Sequence, residues 1–124
     1  MAKVSKQSAK HEDYGPVESW SEESDGHAIE FVHFKQDIDS TPMLKGLPND
    51  QCHCAHWGYV LKGRVTFTIG GREEVLEPGD AFYVPPGHLQ RAEAGTEYLQ
   101  FSPVKELAEV SQQIMKNMQA MQAG

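Results

Sequence analysis

Apolar and polar positions alternate over HAIEFVHFKQ (27–36), with Ile29 and Phe31 on one face and Glu30, Val32 and Phe34 on the other. A period of two is that of a strand, and both faces here are partly apolar. Tyr14 to Trp20 reads as an earlier short strand, with SEESDG (21–26) as the turn between the two and Asp25-Gly26 as its signal. Residues 37–50 hold two prolines and a glycine and read as an irregular crossing. Then HWGYVL, RVTFTI, REEVLE, AFYV, LQRAEA and TEYLQFS follow at short intervals. Lys62-Gly63, Gly70-Gly71, Pro78-Gly79-Asp80, Pro85-Pro86-Gly87 and Gly95 punctuate them as turns. Eight or nine short strands at this spacing predict a mainly β sandwich or barrel.

The period changes at the end of the chain. Leu107, Val110, Ile114, Met118 and Met121 recur at helical spacing, and Ser102-Pro103 offers a cap and a first helical residue. The chain therefore divides into a polar, frayed segment (1–13), a β barrel (14–103) and a C-terminal helix (104–124). The helix stripe is expected to cover the barrel or a partner subunit. Together with an N-terminal strand free to pair across a sheet edge, it predicts a homodimer.

Charge narrows the function classes. Eleven basic residues against eighteen acidic ones give a formal charge of −7. Duplex nucleic acid and anionic membrane surfaces both call for a Lys/Arg face, so neither is an expected partner. No apolar run approaches a membrane span, and MAKVSKQSAKHEDYG has no apolar core of a signal peptide, which predicts a cytoplasmic protein.

The densest chemistry lies in DQCHCAH (50–56). On a strand, Cys52 and Cys54 project in parallel about 6.6 Å apart, too far for the Cβ contact of a disulfide. Free thiols or metal ligands are the expected states. Cys52, Cys54 and His56 share parity and so one face, while His53 has the opposite parity. Thiolate and imidazole together favour zinc, with iron or copper as further options. A straight strand spreads the three over about 13 Å, so chelation by one ion needs a bend. The bland reading is a packed strand with two buried thiols. A thiolate nucleophile with His56 as its base ranks below chelation. His27, His33, Trp57 and Tyr59 read as surface or packing residues.

Two stretches carry a resemblance. Gly79-Asp80-Ala81-Phe82-Tyr83-Val84-Pro85-Pro86-Gly87 resembles the second cupin motif, G-x5-P-x-G-x2-H, and YVLKGRVTFTIGG (59–71) resembles the end of the first, H-x-H-x3-E-x6-G. The likeness spans roughly residues 27–102. It implies a double-stranded β-helix barrel of the jelly-roll type, in which many family members hold one metal ion through three His and a Glu. It also implies a bend in the ligand strand.

The ligand positions themselves differ. Counting back from Gly63, the family's Glu falls on His56, its second His on Cys52 and its first on Asp50. In the second motif the His falls on Gln90, with His88 two residues earlier. The expected metal set is thus Cys52, Cys54, His56 and His88, with Gln90 left to bond a ligand in the pocket or a supporting group.

Three functions remain in view. The first is a metal-dependent small-molecule enzyme of oxygenase or isomerase type. The second is a non-catalytic barrel that binds a small molecule or metal, and the third is a packed, metal-free interior. The sequence names no substrate, and the fold alone does not choose among these.

Overall fold

The computed structural model describes residues 3–123. Its chain runs β1 (Lys10–Asp13), β2 (Val17–Ser24), β3 (His27–Phe34), β4 (Ile38–Asp39), β5 (His56–Lys62), β6 (Val65–Ile69), β7 (Arg72–Leu76), β8 (Ala81–Val84), β9 (His88–Ala92), β10 (Glu97–Pro103) and α1 (Val104–Ala123). Short helical turns at Thr41–Leu44 and Pro48–Asp50 fill the crossing before β5. One sheet has the order β1-β2-β3-β10-β5-β8 and the other β4-β9-β6-β7. Every strand pair is antiparallel. This is the expected mainly β barrel with one C-terminal helix.

The alternation in the sequence decides which side chains meet inside. Val32 and Phe34 of β3 turn inward, as do Val60, Val65, Phe67, Val84 and Tyr98 from the facing strands, and all are buried. Burying each such side chain contributes about 1.5–3 kcal/mol. A second cluster closes one end of the barrel, where Leu44, Cys52, Cys54 and Val110 pack with Leu47, Leu89, Leu107 and Ile114. The first part of the helical stripe therefore caps the barrel, while Met121 stays exposed. Amides hold α1 down: Asn117 Nδ2 donates to the carbonyl oxygens of Met43 at 2.6 Å and Lys45 at 2.8 Å.

Gly63 shows why its position admits no side chain. Its φ is +77°, and a Cβ there would run into the backbone and side chain of Thr96.

Three boundaries differ from the sequence reading. The turn before β3 is only Asp25-Gly26, because β2 continues to Ser24 and pairs it with His27. The polar N-terminus is ordered earlier than expected: β1 pairs with β2 from Lys10, and Lys6 Nζ reaches the buried Glu97 carboxylate at 2.6 Å. Ser102 and Pro103 do not begin the helix but stay in β10, paired with Ala28 and His27. No helix among the described residues is long and apolar enough to cross a membrane.

Candidate metal centre

The segment before β5 is where the expected ligands separate. Residues 53–55 are not strand, and β5 begins only at His56. Cys52 is held instead by the chain across the barrel end. Its amide donates to the His88 carbonyl oxygen at 3.0 Å, and its own carbonyl accepts from the amides of Gly87 at 2.8 Å and His88 at 3.2 Å. Gly87 adopts a φ of +91° to make this approach.

The result brings three of the four expected ligands together. Ligand atoms of Cys52, His56 and His88 all lie within 4.8 Å of one another, and all three residues are buried. Cys52 Sγ is 3.7 Å from His56 Nε2. Two donors bound to one ion at about 2.0–2.3 Å in tetrahedral geometry sit roughly 3.3–3.6 Å apart. The trio thus needs only small side-chain movements to close on a metal.

Hydrogen bonding prepares the imidazoles. His88 Nδ1 lies 2.8 Å from the Pro85 carbonyl oxygen, which can only accept. Nδ1 therefore carries the proton and Nε2 presents its lone pair. His56 Nδ1 lies 2.7 Å from Ser102 Oγ, which leaves its Nε2 facing Cys52. The two imidazoles meet edge to face with centroids 5.2 Å apart, and the Phe67 ring packs against His88.

Burial sets the charge state. It lowers the His56 pKa to about 3, with the neighbouring His88 acting in the same direction, and it also lowers that of His88. Burial raises the Cys52 thiol. Without a cation the centre is thus a neutral thiol between two neutral imidazoles. A divalent ion would take up the thiolate charge and release its proton.

Cys54 is not brought to the trio. Its thiol lies 3.5 Å from the Ala55 carbonyl oxygen and 3.9 Å from that of Pro103, and burial pushes its pKa up to about 12. The parity argument placed it with Cys52 and His56, but parity holds only within a strand and this segment is not one. Asp50 lies in the helical turn before it and is exposed. His53 is half-buried, with Nε2 2.7 Å from the Pro48 carbonyl oxygen.

The trio opens onto a cavity of about 220 Å³ inside the capped barrel. Gln90 lines it and donates from Nε2 to the Tyr98 hydroxyl at 2.9 Å. The sequence reading did not single out Glu30, Gln100 or Ser102 as site residues. Glu30 and Gln100 also line the cavity, and Gln100 Nε2 donates to Glu30 Oε1 at 3.0 Å. The signal was present: Glu30 has the parity of Val32 and Phe34, so it is a polar residue on the core face of its strand.

The two sheets correspond to a known architecture. The family model "Cupin domain" matches residues 50–98. The barrel has the cupin fold. An RmlC-like cupin from Shewanella frigidimarina superposes with a TM-score of 0.57 at 19% identity, covering 78% of this chain and 86% of that one. KdgF from Halomonas sp. gives 0.56 at 18% identity, with 83% and 94% covered. The polyketide cyclase RemF from Streptomyces resistomycificus gives 0.58 at 16% identity, with 83% and 79% covered. At these identities the likeness is one of fold. No curated protein matches the chain. Counted along the resembled motif, Cys52 and His56 stand where its second His and its Glu would fall.

Proposed function

We propose that this cupin binds a divalent metal ion through Cys52, His56 and His88 and presents it to a small molecule in the barrel cavity, as a metal-dependent enzyme of isomerase or oxygenase type. Zinc suits a mixed thiolate and imidazole set best, and iron is the alternative. The observation that carries this reading is a buried trio in the cavity wall, with His88 Nε2 left as a lone pair and His56 Nε2 turned to Cys52. Three protein ligands leave a coordination position for another molecule, the pattern of catalytic rather than structural zinc. A bound ion would supply Lewis-acid polarisation of an oxygen on that molecule.

The chain's own residues do the rest. Ser102 fixes the His56 ring, and the Pro85 carbonyl fixes His88. Gln90 and Tyr98 offer hydrogen bonds in the cavity, and α1 supplies part of its wall. The cavity also weighs against a fully packed interior. Free buried thiols suit a reducing, cytoplasmic setting.

Zinc titration against a chromophoric chelator tests the proposal. Native protein is expected to take up one equivalent, and His56→Ala is expected to lose most of that affinity. Equal uptake by the native protein and a Cys52→Ala, His56→Ala double variant would end the metal reading.

A further inference from the structure

The cavity walls carry information about what enters. Val32 and Phe34 from the barrel face Leu107, Val110, Ile114 and Met118 from α1 across it. No lysine or arginine stands among its described lining residues, and Glu30 is the one acidic side chain there. Phosphate and carboxylate recognition ordinarily relies on Arg, Lys or a helix N-terminus. A wall of this kind instead suits a molecule that is mainly apolar and uncharged.

Among the polar groups that interrupt the apolar wall is one close pair. Glu30 and Gln100 are direct cross-strand partners on β3 and β10, both turned inward. Gln100 Nε2 donates to Glu30 Oε1, and the remaining oxygens, Glu30 Oε2 and Gln100 Oε1, make no hydrogen bond among the described residues. Burial holds the Glu30 carboxyl above the usual carboxylate range, with Glu12 adding to the rise. Tyr14, Cys54 and Tyr98 also interact with Glu30, and none of these three is a cation. The two free oxygens are acceptors side by side, and the carboxyl, when protonated, is also a donor.

We propose that the Glu30–Gln100 pair selects an uncharged, largely apolar small molecule by gripping a carbonyl-, hydroxyl- or amide-bearing edge. This deepens the proposed function, since it takes the cavity as the chamber that serves the metal centre.

Benzamide and phenyl phosphate are suitable probes, because they share a ring and differ in charge. Their binding to the full chain can be followed by calorimetry and ligand-observed NMR, in zinc-free and zinc-loaded protein. Benzamide is expected to bind in the millimolar range or better in both states. Phenyl phosphate is expected to bind at least about tenfold more weakly.

Glu30→Leu and Gln100→Leu should each weaken benzamide by about tenfold, whereas Glu30→Gln, which keeps a donor, should retain most of the affinity. Thermal melts check that each variant is folded. Phenyl phosphate binding as tightly as benzamide would overturn the proposal. So would benzamide failing to bind, or binding unchanged in both leucine variants. Zinc uptake is read separately: a chain that binds no zinc but grips benzamide through Glu30 loses the metal reading and keeps this one.

Discussion

Cys52 and His88 are joined through their backbones, amide to carbonyl at 3.0 Å in one direction and 3.2 Å in the other. This bridge places a thiol and an imidazole side by side from segments far apart in sequence, and His56 at the start of β5 completes the trio. The trio is therefore assembled by the fold rather than by the C-x-C spacing. His88→Ala removes one donor and should lower zinc affinity by more than about 100-fold, beyond what loss of a supporting group costs. His53→Ala should leave affinity unchanged, because that ring is engaged with the Pro48 carbonyl outside the trio. Competition titration with a chelator distinguishes the two, and the opposite ranking would contradict the geometry.

Ser102 is a positioning residue. Its hydroxyl is 2.7 Å from His56 Nδ1 and is itself buried. Ser102→Ala leaves the imidazole without that partner and should weaken metal binding by roughly 10–100-fold while the fold persists. Calorimetric zinc titration with a parallel thermal melt separates the effects. Unchanged affinity would show that the ring orientation does not depend on this bond.

Glu30 gives a pH signature. Its folded pKa is raised above 4.5, chiefly by burial. The native state then holds its proton more tightly than the unfolded chain. Its contribution to stability is therefore fully present below that pH and is lost as pH rises toward the folded value, at about 1.4 kcal/mol per pH unit within the window. Glu30→Gln keeps a neutral side chain at every pH. Relative to native, its thermal midpoint should gain more at about pH 8 than at about pH 5. A difference that is flat with pH, or larger in acid, would contradict the burial argument.

The expected homodimer gains a different surface. The helix stripe that suggested a partner turns inward over the barrel, so it no longer argues for one. Aromatic side chains are exposed instead on β5, β8 and β10: Trp57 at 47%, Tyr83 at 53%, Tyr59 at 43% and Phe101 at 39%. Trp57 and Tyr83 lie in register on neighbouring strands with rings 5.0 Å apart. Contiguous exposed apolar surface of this kind suits a second copy of the chain. Sedimentation is expected to give a dimer at roughly tens of micromolar, and Trp57→Glu with Tyr83→Glu a monomer. A monomeric native protein would exclude this interface.

Much of the barrel was legible in the sequence because period-two runs and turn residues are local signals. Gly63, Gly79, Pro85 and Gly87 fix turns that any strand-by-strand reading finds. The centre was legible only in part. His56 and Cys52 follow from counting back along the motif, but the fate of Cys54 depended on where β5 begins, and a strand boundary is set by pairing with β8 and β10 rather than by residues 53–55 alone. Ser102 read as a helix cap because a Ser-Pro pair before a helical stripe is a local signal. Its place in β10 and its bond to His56 are long-range facts. Glu30 was visible as a polar position, but its cross-strand partner Gln100 lies 70 residues away, and no local pattern connects them.

Cobalt(II) substitution tests the metal centre most directly, because thiolate ligation gives a charge-transfer absorption that imidazole and carboxylate do not. The native chain should show this band on titration with cobalt, Cys54→Ala should retain it and Cys52→Ala should lose it. A native spectrum without the band, or a band that disappears with Cys54 and survives the loss of Cys52, would contradict the assignment of Cys52, His56 and His88 as the metal site.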